Sequence, residues 1–150
     1  MKAQLKWKEG MKFEATSEGN SLLMDAKAPI GTNTAMTPKE LVAVGLGGCT
    51  AMDVIALLKK HKQAYQSLEV DVDIITSTSG QPVVFKSATL TFSATGEVER
   101  AILLDAVRLS QTKYCGVSAM LVKALPINYV VKLNGEQIGE GKADFGVLNG

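Results

Sequence analysis

The sequence predicts an α+β fold in which antiparallel strands surround one long, buried central helix. Residues near the N-terminus alternate between polar and apolar with the period of two that is typical of half-buried strands. The stretch 41–58 is almost continuously apolar and has the length of a core helix. Two further helical patterns precede a C-terminal strand, and no linker or repeat divides the chain. We therefore predict a single domain over residues 1–150.

The composition argues against several classes of partner. The 150 residues are 46% apolar and 21% charged, with a formal net charge of +1, which gives no electrostatic basis for binding nucleic acid or an anionic membrane. One histidine and two cysteines are too few to build a metal cluster without carboxylates. We expect no metal, cofactor, nucleic acid or membrane partner. The N-terminus lacks an apolar signal core, so we expect a cytoplasmic protein whose thiols stay reduced.

The first third of the chain predicts an antiparallel meander followed by a loop. Turn signals at Glu9-Gly10 and at Glu18-Gly19-Asn20 separate three short alternating segments. The loop, residues 25–36, has no period and is rich in small residues. A loop of this length is typical either of a lid or site wall or of a plain surface crossover, and the sequence favours neither.

The central helix begins with a strong start signal. Thr37 suits the N-cap, Pro38 the first helical position and Glu40 the third residue of a capping box. A helix that is apolar on all sides must be covered on all sides, so it should lie in the middle of the molecule or of a dimer. Gly47-Gly48 predicts a break or a close-packing point that leaves Cys49 in the first turn of the following segment.

The second half of the chain predicts a strand pair, two helices and a closing hairpin. The basic run 59–62, which includes His61, suits a solvated helix end. Strand 68–74 should pair with strand 83–95, whose alternation fails near Lys86 as at a bulge. The remaining predicted elements are helices 97–114 and 117–125 on either side of Cys115, strand 127–133, a type I′ turn at Asn134-Gly135 and a loosely held tail, 141–150.

The two cysteines, Cys49 and Cys115, each lie next to glycine and each follow a predicted helix break. A helix N-terminus favours a thiolate, so both are candidates for redox chemistry. The alternative is that both are small buried hydrophobic residues. Asp53 follows Cys49 by one helical turn; we favour a structural salt bridge or dimer contact for it over the role of a base.

Three short motifs resemble the OsmC/Ohr superfamily. They are Pro38-Lys39-Glu40-Leu41, the Gly48-Cys49 pair eight residues further on, and the segment from Tyr114 to Ser118 that contains Cys115; the order of elements agrees over residues 1–133. The resemblance implies an intertwined α+β homodimer with two sites at the interface. It also implies that Cys49 is the peroxidatic thiol, that Cys115 resolves its sulfenic acid to a disulfide, and that a dithiol reduces the disulfide.

The chain departs from the peroxidase branches of that superfamily at two positions. Those branches carry a glutamate directly after the proline and an arginine in the N-terminal strands. Here Lys39 follows Pro38, Glu40 suits the capping box, and no arginine precedes Arg100. The chain thus resembles a less characterised branch, with Lys39 as a hypothetical positive partner of Cys49.

The resemblance makes thiol-dependent reduction of organic hydroperoxides in oxidative-stress defence the expected function. The substrate would be a small hydrophobic hydroperoxide, which suits the apolar surroundings of Cys49. Two alternatives stay open. One is a non-catalytic dimer that binds a small apolar or electrophilic ligand; the other is a thiol redox switch that does not turn over peroxide.

Overall fold

The computed structural model describes residues 1–146 and divides the chain into two compact units, one from Met1 to Val42 and one from Ala43 onward. The prediction of a single domain stays a prediction. The last four residues of the predicted loose tail, 147–150, lie outside the described residues.

The first unit contains a three-stranded antiparallel sheet, which confirms the predicted meander. Glu18, Gly10 and Gly19 adopt positive φ at its turns, where glycine is favoured. Neighbouring strands pair in chain order. The strands are β1 (Gln4–Glu9), β2 (Lys12–Ser17) and β3 (Asn20–Met24).

The loop that follows β3 is ordered around the buried carboxylate of Asp25. This carboxylate accepts hydrogen bonds from the amide and hydroxyl groups of Thr32 and Thr34, at 2.7–3.1 Å, and from the amide of Ala26 at 2.7 Å. The bond from the Thr32 hydroxyl contributes most to holding the pKa of Asp25 well below its usual range. This side chain thereby supplements the few backbone hydrogen bonds of the segment, such as the one from the Asn33 amide to the Ala26 carbonyl.

Helix α1 (Pro38–Lys60) runs without a break, so the predicted interruption at Gly47-Gly48 is wrong. The alternative reading of close packing holds for Gly47, where an added Cβ would lie 2.8 Å from the Val72 methyl group, whereas Gly48 faces open space. Buried side chains on both sides of the glycines, Leu46 and Val54, belong to one core. Because that core holds both halves of the helix, the cost of about 1 kcal/mol per glycine does not break it.

The second unit is built on a four-stranded sheet in the order β4-β5-β6-β7. Ile75 pairs with Ser87 and Thr76 pairs with Phe85, so the pairing between the two strands passes over Lys86. This shift in register confirms the predicted bulge. The β5–β6 pair is parallel, because helices connect these two strands, so the prediction of purely antiparallel sheets is wrong here. The strands are β4 (Ala64–Thr76), β5 (Phe85–Glu97), β6 (Ile127–Leu133) and β7 (Glu136–Lys142).

The last hairpin confirms one prediction and corrects another. Asn134 and Gly135 have φ values of 49° and 85°, as the predicted type I′ turn requires. The start of the tail, which was predicted to be loosely held from residue 141, is instead part of the fold. Strand β7 extends to Lys142, and Ala143 is buried.

The crossover from β5 to β6 contains three helical segments. They are α2 (Arg100–Leu109), a π-helical turn (Ser110–Tyr114) and α3 (Gly116–Leu121). The predicted interruption around Cys115 is confirmed, although α3 ends four residues before the predicted boundary at Leu125. The core of this unit combines apolar residues of α1, sheet and crossover, the largest being Leu46, Leu58, Leu90, Phe92, Leu103 and Ile127.

Helix α1 has the length and apolar composition of a membrane-spanning helix. Its buried residues, however, belong to the same core as the four-stranded sheet, as in the central helix of a globular domain. The helix is not covered on all sides within one chain, since Val44 and Met52 are 52% and 75% exposed.

Candidate functional site: a cysteine pair and its polar network

The two cysteines, far apart in sequence, are brought together in the second unit. Cys49 lies in the middle of α1 and is partly exposed, whereas Cys115 is completely buried at the N-cap of α3. Cys49 lies close enough to Cys115 to contribute to the raised pKa of that thiol, and both thiols are free. The structure therefore places an accessible sulfur beside an inaccessible one.

The surroundings of Cys115 correct the expectation that a helix start lowers the pKa of this thiol. Its sulfur accepts a hydrogen bond from the Ser118 amide at 3.3 Å. Burial nevertheless raises the pKa of Cys115 to about 11, outweighing the contribution of Ser118. The helix that it caps is only six residues long, and in a desolvated pocket the neutral thiol is favoured.

Cys49 is also not where the sequence predicted it. Because α1 continues through Gly47-Gly48, Cys49 lies in the interior of the helix rather than in a first turn. The unpaired backbone N–H groups that a helix start would offer to a thiolate are absent from an interior turn. The helix start on which the expectation for Cys49 depended is therefore absent.

A buried hydrogen-bond network connects the two cysteine-bearing segments. Gln111 Nε2 donates to Thr50 Oγ1 at 2.7 Å, Thr50 Oγ1 lies 2.7 Å from Ser110 Oγ, and Ser110 Oγ donates to Asp53 Oδ2 at 2.9 Å. Thr50 directly follows Cys49, and the Ser110 carbonyl accepts the amide of Cys115 at 3.0 Å. The network therefore fixes α1 against the π-helical turn that leads to Cys115.

The salt bridge predicted for Asp53 does not form within the described residues, while the alternative, a dimer contact, stays a prediction. Asp53 accepts a bond from Ser110, and it forms no ion pair with a lysine among residues 1–146. Burial raises the pKa of the Asp53 carboxyl above its ordinary value. Sequence reasoning missed Ser110 and Gln111; the available signal was two polar residues directly after the apolar stripe that ends at Leu109.

Glu40 and both arginines are engaged elsewhere. The Thr37 amide donates to Glu40 Oε2 at 2.8 Å, and Thr37 Oγ1 accepts the Glu40 amide at 3.3 Å, which confirms the capping box. An ion pair with Lys27 at 2.7 Å contributes most to lowering the pKa of Glu40 to about 2. Arg100 pairs with Glu136 and Arg108 with Asp105. Within residues 1–146 no three His, Cys, Asp or Glu side chains form a group that could hold a metal.

An open apolar groove lies between α1 and β4, beside the glycine that precedes Cys49. Its volume is about 480 Å³. Asp71 is the only charged residue lining it; the others are small or aliphatic, namely Ala43, Val44, Gly47, Gly48, Ala51, Val70 and Val72. The groove is therefore suited to apolar rather than charged groups.

Thr50→Val is expected to destabilise the protein through this network. The change keeps the side-chain shape but removes the hydroxyl that Gln111 Nε2 and Ser110 Oγ share, so the shortest bond of Gln111 Nε2 is lost in a buried site, at a cost of about 1–3 kcal/mol. Thr50→Ser keeps the hydroxyl and should cost less. Urea unfolding of the reduced protein measures the difference, with Thr95→Val as control because it removes the exposed hydroxyl pair of Thr95 with Ser67. Equal losses for Thr50→Val and Thr95→Val would contradict the prediction.

Comparisons with known proteins agree with this architecture. The family model "OsmC-like protein" matches residues 31–130. Protein YhfA of Escherichia coli strain K12 is 37% identical over 133 residues, which cover 86% of this chain and 95% of that protein.

Two solved structures share the fold at low sequence identity. An OsmC-like protein from Mycoplasma pneumoniae has a TM-score of 0.76 and 17% identity, covering 88% of this chain and 95% of its own. An organic hydroperoxide resistance protein from Elizabethkingia anophelis has a TM-score of 0.65 and 14% identity, covering 88% and 94%. The family match and the similarity to the Escherichia coli protein show that the chain belongs to the OsmC-like family.

Proposed function

We propose that the chain is a thiol-dependent peroxidase that reduces organic hydroperoxides, with Cys49 as the peroxidatic and Cys115 as the resolving thiol. The observation that carries the proposal is that the Thr50–Ser110–Gln111 network holds the segment of Cys49 against the segment that leads to Cys115, with only Cys49 accessible. A substrate can reach the first sulfur, and the second is already in position to trap the product. The name of the organic hydroperoxide resistance protein with the same fold supports this assignment.

The proposed cycle has three steps: oxidation of Cys49, formation of the disulfide, and its reduction. The Cys49 thiolate attacks the outer oxygen of ROOH, the O–O bond breaks, and protonation of the leaving group gives ROH and a Cys49 sulfenic acid. The Cys115 sulfur then attacks the Cys49 sulfur, and the hydroxyl leaves as water. A dithiol finally reduces the disulfide and is itself oxidised to a disulfide.

We further propose that two copies of the chain form the working unit, in the cytoplasm. Five residues of α1 repeat at intervals of three and four and so share one helix face. None is charged, none is among the buried core residues, and the stripe contains Cys49 itself. Its members are Val42, Gly45, Cys49, Met52 and Ala56. A second helix packed on this stripe would cover α1 and enclose the accessible thiol.

The first test is to count free thiols by mass spectrometry after adding one equivalent of cumene hydroperoxide. The wild type should lose two thiols and gain one Cys49–Cys115 disulfide within the same chain. Cys115→Ser should instead accumulate a sulfenic acid that dimedone traps on Cys49. Parallel turnover with hydrogen peroxide measures the preference for an apolar substrate.

The alternatives give different results in the same experiment. A ligand-binding dimer would keep both thiols through a long incubation with cumene hydroperoxide. A redox switch would form the disulfide with a thiol oxidant such as diamide, without catalytic consumption of the hydroperoxide. Either result would overturn the peroxidase proposal.

A further inference from the structure

A hydroxyl group without a hydrogen-bond partner is buried next to Cys115. Ser118 is completely buried, and its Oγ has no partner in the described part of the chain. The same residue donates its backbone amide to Cys115 Sγ at 3.3 Å, and its side chain lies close enough to influence the titration of that thiol. A buried hydroxyl without a partner thus lies in the immediate surroundings of the Cys115 sulfur.

We propose that Ser118 Oγ is a catalytic hydrogen-bond donor to the Cys115 sulfur, stabilising it whenever it carries negative charge. Cys115 becomes anionic when it attacks the Cys49 sulfenic acid, and again when it leaves as the disulfide is reduced. The first of these roles depends on the proposed peroxidase function. The second depends only on the presence of the two cysteines, so the two can be tested separately.

The donor would assist reduction of the disulfide, because Cys115 is the expected leaving group in that exchange. In the reduced protein Cys49 is partly exposed and Cys115 is completely buried. An external dithiol should therefore attack Cys49 Sγ: a new S–S bond forms to the dithiol, the Cys49–Cys115 bond breaks, and the electron pair goes to Cys115. A leaving thiolate in a desolvated pocket needs local donors, since thiol exchange slows as the leaving group becomes more basic.

A purely structural role does not account for this hydroxyl. An unpartnered buried hydroxyl destabilises a fold, and alanine would fill nearly the same volume without that cost. The amide bond to Cys115 comes from the backbone and would survive the substitution. Ser118→Ala should therefore leave the reduced protein as stable as the wild type or more stable, while impairing the chemistry of the thiol.

The experiment uses the disulfide formed with diamide and reduced with excess dithiothreitol at pH 7, followed by free-thiol release. We expect Ser118→Ala to slow this reduction about tenfold or more, as the loss of a hydrogen bond to a charged group implies. Ser118→Thr retains the hydroxyl and should keep the rate within about threefold of the wild type. Thermal unfolding of each reduced variant measures stability separately, and Ser67→Ala is the control for loss of a hydroxyl remote from the thiols.

The outcomes separate this proposal from the peroxidase proposal. Slower reduction in Ser118→Ala supports the donor role even if the wild type does not react with cumene hydroperoxide. Reduction at the wild-type rate in a folded Ser118→Ala overturns it, even if the wild type is an active peroxidase. Should Ser118→Ala not fold, the side chain is structural and the proposal fails equally. If the peroxidase is active, dimedone-reactive sulfenic acid should also persist about tenfold longer in Ser118→Ala.

Discussion

Met52→Glu is expected to convert the proposed dimer into a monomer. Met52 is 75% exposed and lies on the uncharged stripe of α1 that also contains Cys49. In a dimer that packs this stripe against its copy, the new carboxylate would be desolvated in an interface to which the stripe contributes no opposite charge. Burying an unpaired charge costs several kcal/mol, which corresponds to at least a thousandfold weaker dimer.

Sedimentation equilibrium or light scattering measures this change over a range of protein concentrations. Ile75→Glu is the matched control, because Ile75 is 60% exposed at the end of β4 and lies off the stripe. The Cys49–Cys115 contact lies within one chain, so diamide should still form the disulfide in the Met52→Glu monomer. A wild type that is monomeric at 100 μM, or a Met52→Glu variant that stays dimeric, would contradict the proposed assembly.

The sequence predicted the fold well wherever local chemistry determines structure. A type I′ turn requires positive φ at two successive positions, and Asn134 and Gly135 are residue types that tolerate this conformation. Thr37, Pro38 and Glu40 satisfy the first amides of α1 by themselves, so its start could be predicted without tertiary information. Local rules failed at Gly47-Gly48, where the intrinsic cost of glycine predicted a break. The core that contains Leu46 and Val54, on either side of the glycines, keeps the helix continuous. Such tertiary packing cannot be recognised in a short window of sequence.

The site was only half predictable for the same reason. Cys49 and Cys115 could be singled out by their neighbouring glycines and by the family resemblance, but their contact depends on how the crossover packs on α1. The roles of Ser110 and Gln111 depend on a bond to Thr50 some sixty residues earlier in the chain. The pKa of Cys115 was predicted with the wrong sign, because burial outweighs the favourable amide at the start of α3. Desolvation depends on every neighbouring element, and no single motif encodes it.

Disulfide formation is expected to accelerate steeply with pH. In the proposed cycle the attacking species is the Cys115 thiolate, and burial raises the pKa of this thiol from 9.0 to about 11. Below the pKa the thiolate fraction rises tenfold with each pH unit, so closure should be roughly 100 times faster at pH 9 than at pH 7. Conversion of Cys49 to a sulfenic acid removes the contribution of the Cys49 thiol to the raised pKa of Cys115, whereas desolvation, the largest cause, remains.

A pH jump isolates this step from the reaction with peroxide. Cys49 is first oxidised at pH 6 with one equivalent of cumene hydroperoxide; the sample is then mixed into buffers of pH 7 to 9.5, and loss of dimedone-reactive sulfenic acid is followed. In Cys115→Ser the sulfenic acid should persist at every pH, which controls for side reactions. A wild-type rate that already levels off near pH 8.5 to 9 would mean that Cys115 ionises as easily as an exposed thiol. The buried environment would then open before the disulfide forms, and resolution would be limited by movement of the crossover rather than by ionisation.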